Sequence, residues 1–329
     1  MQSQVSGACG QLGKSDFPKM EGSRWAGFRI SLYTNMTDQK LMLVTGGAGF
    51  IGSHLCERLV ADGHRVISLD NYFTGSRDNH VAGVEYREGH TKDIAALVPE
   101  TPDVIYHLGE YSRVHTSIDE PELVWDMSIT GTAAVLEFWR KKGSKLVYAA
   151  SSTKLPVTKA ADGTPGKDLT PYTWAKATNA GLIENYGRWY GLPYAIVYFY
   201  NVYGPRERAW GSHGTLIETF RQNFLAGRPH RVNAPGTQTR AFTHALDTVE
   251  GIILAGEKGA GDGFQISSKD VHSILEVAEM FGGPIEMHPQ TKMSRSAGAD
   301  DTSKIEALGW QQRHHLKDYI EEAKREKHG

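Results

Sequence analysis

Tyr172 and Lys176 stand four residues apart in the segment TPYTWAKATNAGLIENYGRWYG. On a helix that spacing puts both side chains on one face. A tyrosine of ordinary pKa, about 10, is only about 0.1% ionised at pH 7 and is a poor base. A neighbouring ammonium favours the phenolate, so the pair makes a base able to take a proton from a hydroxyl. The same two residue types meet at this spacing by accident in many chains, so their weight rests on what precedes them. The apolar run KLVYAASS comes just before and delivers Ser151 and Ser152 at its end, where their hydroxyls can bond a reacting oxygen.

A second constellation lies upstream. In TGGAGFIGSH, Gly46, Gly49 and Gly52 recur at three-residue intervals between the apolar run KLMLVT and an amphipathic stretch, with Phe50 and Ile51 opening the latter. Glycines so placed allow a tight turn, close approach of a pyrophosphate to backbone N–H groups, and close packing of helix on strand. Asp70, followed by Asn71, ends the next apolar run, HRVISLD. A carboxylate at this point accepts hydrogen bonds from ribose hydroxyls and repels a 2′-phosphate, which selects NAD over NADP. The positive nicotinamide ring of that cofactor would further favour a phenolate at Tyr172. Asp93 and Ile94, after EYREGHTK, fall where such folds touch the adenine; the alternative for Asp93 is a surface residue capping a helix. Leu108 and Gly109 end the run DVIYHLG beside the expected cofactor path, and His107 there reads as a packed residue rather than a proton carrier.

The elements that must position these groups alternate. Apolar runs at 40–45, 64–70, 103–109, 145–152 and 193–201 read as buried strands. Between them, 50–63, 122–142 and 171–190 read as helices, the last with Thr170 as N-cap and Pro171 at its first position. This predicts an α/β fold: a Rossmann-type doubly wound parallel sheet over 37–203, with a smaller mixed α/β C-terminal substrate subdomain over 204–329. Some segments near 236–258 are expected to return to the first domain. Beyond 204, GTLIETFRQNFLAG and SILEVAEMFG read as helices, and the closing EEAKREKHG as a frayed, solvated tail. Residues 1–36 are polar and without period, and read as a disordered leader or as sequence upstream of a start at Met36.

Composition narrows the function classes. A net charge of -2 gives no electrostatic reason for a nucleic-acid or membrane partner. Two cysteines argue against a disulfide framework and make a reducing cytoplasm the default. The 14 histidines show no ligand spacing, so no metal site is expected.

Taken together, TGGAGFIGSH, Asp70, the serines at 151–152, Tyr172-xxx-Lys176 and Asn201-Val-Tyr-Gly-Pro-Arg resemble the extended short-chain dehydrogenases/reductases. Within them the chain is similar to the NAD-dependent nucleotide-sugar epimerases and dehydratases, of the UDP-glucose 4-epimerase type, from residue 40 to about 322. The resemblance implies NAD as cofactor, a UDP-sugar as substrate, and epimerisation through a 4-keto intermediate. Tyr172 would be the base, Lys176 would hold the nicotinamide ribose, and Ser151, with Ser152 as fallback, would bond the reacting oxygen. Asn201 would contact the sugar nucleotide, and Arg240 and Arg295 would grip its diphosphate. Gly298 would leave room for an acetamido group at C2. Dehydratase relatives carry an Asp-Glu pair after the catalytic Thr, whereas residues 152–154 are Ser-Thr-Lys, which favours epimerisation. A dehydratase, decarboxylase or net dehydrogenase, and a non-catalytic NAD-binding regulator, are the alternatives. The helices at 122–142 and 171–190 carry Trp125, Leu136, Phe138, Trp174, Ile183 and Trp189, more apolar surface than one core needs; the resemblance implies that these helices pair across a two-fold axis as a homodimer, and a core-only role for the residues is the alternative.

Overall fold

The computed structural model describes residues 39–151, 170–208, 214–289 and 300–328. The leader, Ser152, Arg295 and Gly298 lie outside these residues. Seven strands form one parallel sheet: β1 (Leu41–Thr45), β2 (Arg65–Asp70), β3 (Val84–Glu88), β4 (Val104–His107), β5 (Lys145–Ser151), β6 (Tyr194–Phe199) and β7 (Gly261–Ile266). Their order is β7-β6-β5-β4-β1-β2-β3, with the switch point between β1 and β4. β3 and β7 had no clear sequence signal. VEYRE is a half-exposed edge strand with charged residues, and GDGFQI carries two glycines; neither offers a continuous apolar run.

Because side chains alternate along a strand, each strand feeds both faces of the sheet. Met42 and Val44 enter a core with Leu55, Leu59, Ile252 and Phe264 under the helices Phe50–Ala61 and Ala245–Lys258. Leu43 enters the opposite core with Ile105, Val135, Trp139 and Ile183 under the helices Gly131–Lys142 and Pro171–Tyr190. The chain after residue 204 thus supplies both a sheet strand and a sheet-covering helix. The remainder builds a third core, in which Phe220, Val277 and Phe281 pack with Leu316, Ile320 and Ala323. Those last three lie on one face of the helix Leu316–His328. The polar ending is therefore a docked helix and not a frayed tail: burial of three residues at helical spacing holds it.

The long helix expected over 122–142 is one continuous run with a π-turn, Trp125–Thr130, between Pro121–Val124 and Gly131–Lys142. Such widened turns often accompany functional sites. Here the turn presents the Ser128 carbonyl to Asn179 Nδ2, at 2.7 Å. Among the described residues no helix is long and apolar enough to cross a membrane, and no cluster of His, Cys, Asp or Glu could hold a metal ion.

Candidate active site

The strand register brings Thr45 beside Leu69 and His107, and Ser151 beside Phe199, so the carboxyl ends of β1, β2, β4, β5 and β6 form one rim. A cleft of about 810 Å³ opens there. Gly46, at φ 75°, closes the turn after β1; a Cβ on it would stand 3.0 Å from Gly109 Cα. A Cβ on Gly52 would stand 2.0 Å from the Gly46 carbonyl oxygen. The turn therefore needs glycine at both positions and leaves the N-terminus of Phe50–Ala61 open to the cleft, a place suited to a pyrophosphate.

Asp70 sits flush against this turn. Its Oδ2 accepts from Ala48 N at 2.9 Å and its Oδ1 from Tyr72 N at 2.8 Å. Burial pushes its pKa up, and the Tyr72 and Ala48 amides partly counter that. Each oxygen keeps a second lone pair for a ribose hydroxyl. Asn71, Leu108 and Gly109 complete this end of the cleft.

Asp93 and Ile94 do not join them. The 3-10 turn Thr91–Asp93 leaves Asp93 exposed, and Ile94 is sunk in the core beneath the helix Gly131–Lys142. His90 and Thr91 line the cleft instead. The local geometry of the turn, three residues earlier than the sequence placement, decides which side chains reach the cavity.

At the other end, Thr170 Oγ1 accepts from Thr173 N at 3.2 Å and starts the helix Pro171–Tyr190. That helix carries Tyr172 and Lys176 into the cleft beside Ser151 at the end of β5. Lys176 Nζ donates to the Ala149 carbonyl at 2.7 Å and forms an ion pair with Glu110. His107 is fully buried between Thr45 Oγ1 (2.8 Å) and Thr132 Oγ1 (3.0 Å). Burial drives its pKa down to about 4, so it is a neutral hydrogen-bonded ring at pH 7.

A second cleft, of about 950 Å³, adjoins the first and shares Arg113, Asn201 and Glu207 with it. Asn201, at φ 34°, donates from Nδ2 to the Ala241 carbonyl at 3.0 Å. Arg240, Arg228 and Arg231 line this second cleft; Arg240 Nη1 donates to the Thr239 carbonyl at 2.8 Å. A cationic wall of this kind suits a diphosphate.

Glu110, Arg113 and Glu207 were not singled out from the sequence. The signal for the first was a carboxylate immediately after HLG, at a strand end that already carried the cofactor path. Arg113 loses some basicity through burial, offset by Tyr172 and Glu207 nearby, and remains a cation. Glu207 Oε2 accepts from Gly204 N at 2.9 Å, and burial pushes its pKa up to about 8.

Residues 42–267 match the NAD dependent epimerase/dehydratase family. The chain belongs to that family. It is 31% identical to a UDP-glucose 4-epimerase of Mycolicibacterium smegmatis over 290 residues, covering 82% of this chain and 92% of that protein. It is 33% identical to a UDP-N-acetyl-alpha-D-glucosaminuronate decarboxylase of Bacillus cytotoxicus over 259 residues, covering 73% and 79%. Among solved structures, a UDP-glucose 4-epimerase of Thermotoga maritima with UDP-glucose superposes with a TM-score of 0.79 at 26% identity, covering 88% of this chain and 100% of that one.

NAD is the cofactor of this family, and the residues present fit it: a glycine turn that a Cβ would obstruct, a carboxylate at the end of β2, and a lysine ammonium deep in the cleft. The Asp70 carboxylate would meet the extra phosphate of NADP. NAD is therefore expected to bind about a hundredfold more tightly than NADP, and Asp70→Ala to narrow the gap. Titration of both cofactors checks this; equal affinities in the wild-type enzyme would remove Asp70 from the role.

The raised pKa of Glu207 has a sign. Its folded value, about 8, lies above the unfolded one near 4.5. Its contribution to stability is present at low pH and lost as pH rises towards about 8. Glu207→Gln is thus expected to gain stability relative to wild type between about pH 5 and about pH 9. Urea denaturation at both values measures it, and an identical difference at both would refute it.

Proposed function

We propose that this enzyme epimerises a UDP-hexose at C4 through a transient 4-keto sugar. The observation that carries the reading is the meeting of Ser151, Tyr172 and Lys176 at one end of a cleft whose other end is the glycine turn and Asp70, with the arginine-lined cleft alongside. In this reading Tyr172 takes the proton of the 4-hydroxyl, Ser151 hydrogen-bonds the same oxygen, and Lys176 donates to the nicotinamide ribose. NAD, held by the glycine turn, Asp70 and Lys176, would supply the reversible hydride acceptance that inversion at C4 needs. Arg240 holds the diphosphate while the keto sugar turns in the pocket, and Tyr172 returns the proton. Net redox change is zero, so cofactor stays bound through turnover.

Incubating the NAD-loaded enzyme with UDP-, dTDP- and GDP-sugars and reading the products by NMR tests the proposal. Interconversion of UDP-glucose and UDP-galactose without NADH release is the expected result; steady NADH appearance would replace it with a dehydrogenase. If Gly298 is the gate at C2, UDP-N-acetylglucosamine is a substrate as well. Arg113 favours a second reading. A guanidinium near Tyr172, at the junction of the two clefts, suits a uronate carboxylate, so UDP-glucuronate belongs in the panel, with carbon dioxide release as its readout.

The enzyme is proposed to act as a cytoplasmic homodimer. Trp125 and Trp174 are exposed and meet edge to face at 5.7 Å, and Trp189 and Tyr190 are exposed further along the same helix as Trp174. Leu136, Phe138 and Ile183, expected to share this surface, are instead buried in the core against the sheet; the strand side of each helix claims them. The remaining aromatic face is expected to pair with a second copy. Light scattering should give a dimer for wild type and a monomer for Trp174→Asp; monomeric wild type at micromolar concentration would sink the idea.

A further inference from the structure

Glu110 has no part in the chemistry above, yet its side chain is only 1% exposed and faces the catalytic lysine. Four side chains from three elements converge on it. Thr132 Oγ1 donates to Oε1 at 2.5 Å, Asn179 Nδ2 donates to Oε1 at 2.7 Å, Tyr148 OH donates to Oε2 at 3.0 Å, and the Lys176 ammonium pairs with Oε2. Burial pushes the Glu110 pKa up, but Lys176 and the surrounding donors outweigh it, and the carboxyl titrates below its ordinary value. His107 Nε2 is 3.9 Å away, but that ring is neutral, so the countercharge is Lys176.

This arrangement does two things. An ammonium has three hydrogens; Glu110 and the Ala149 carbonyl take two of them and fix the direction of the third. It also cancels a charge. A lone buried lysine cation would repel the positive ring of oxidised nicotinamide and favour the neutral reduced ring. With Glu110 alongside, the pair is neutral overall.

We propose that Glu110 is a positioning residue that fixes Lys176 on the Ala149 carbonyl and cancels its charge, so that oxidised cofactor is not disfavoured in the cleft. The inference rests on the reading that Lys176 faces the nicotinamide end of the cofactor. An enzyme that must lend a hydride and recover it needs both cofactor forms to be held, and this buried carboxylate provides for the oxidised one.

The test is the ratio of dissociation constants, Kd(NAD⁺)/Kd(NADH), measured without any sugar on wild type, Glu110→Asp, Glu110→Gln and the Glu110→Gln/Lys176→Met double variant. Glu110→Gln is expected to raise the ratio about tenfold. Glu110→Asp, which keeps the charge, should stay within about twofold of wild type. The double variant, which removes both charges, should return to within about threefold of it. Equal weakening of both forms in Glu110→Gln would mean a purely structural carboxylate and overturn the proposal, as would a double variant that keeps the raised ratio. If Glu110→Gln fails to fold, Lys176→Met measured at about pH 8 decides: it leaves the Glu110 carboxylate without its countercharge and should lower the ratio, whereas an unchanged ratio would overturn the proposal. Cofactor binding is read without substrate, so failure to epimerise any sugar nucleotide would leave this result standing.

Discussion

Tyr172→Phe is expected to lower kcat by about 100- to 10,000-fold while leaving the fold and NAD affinity nearly unchanged. The ring of Tyr172 packs against the small cluster of Tyr111, Val124, Met127 and Ala175, and phenylalanine keeps that ring. The helix start is held by Thr170 and Pro171, not by Tyr172. What disappears is the hydroxyl, the group proposed to exchange a proton with the sugar. Product formation followed by NMR measures the loss, and thermal denaturation and NAD titration check that nothing else moved. Activity above about a tenth of wild type would mean that another group is the base.

Lys176→Ala should have the broader effect. Catalysis and NAD affinity both fall, because the ammonium that would meet the nicotinamide ribose is gone. Stability falls too, and for a separate reason: Glu110 is left as a buried carboxylate without its countercharge. Stranding one member of a buried pair costs about 3–5 kcal/mol. Part of that is recovered if Glu110 takes a proton. Its folded pKa in the variant then lies above its unfolded value, so stability is retained at low pH and lost as pH rises through the folded value. The variant should therefore be closer to wild type at about pH 5 than at about pH 8. Urea denaturation at both values tests this. Adding Glu110→Gln to Lys176→Ala should restore stability without restoring activity; a deficit equal at both pH values would show that the loss is one of packing rather than charge.

The residues that sequence spacing identified share a feature. Gly46, Gly49 and Gly52 act through backbone geometry close along the chain, and Tyr172 and Lys176 through one turn of a single helix. Asp70 and Ser151 end apolar strands. Each of these relationships is local, so residue type and interval carry it. Asp93 depends on more than spacing. Its placement depended on how a short 3-10 turn rotates four consecutive side chains, and His90 and Thr91 proved to face the cleft. The helix at 316–328 shows the same limit from another side: its polar residues hide a three-residue apolar stripe that has meaning only against Phe220 and Phe281.

The sequence by itself determined the alternation of strands and helices, the glycine turn after β1 with its acidic partner, and the Tyr-Lys pair, because periodicity and short-range spacing are written directly in residue order. Only the tertiary structure decided the surroundings of that pair. Glu110 meets Lys176 across 66 residues, Asn179 across 69 and Thr132 across 22. Glu207 and Arg113 come together from different loops at the junction of the two clefts. Burial and charge compensation depend on which distant segments pack together, and strand order in the sheet sets that, not any interval along the chain.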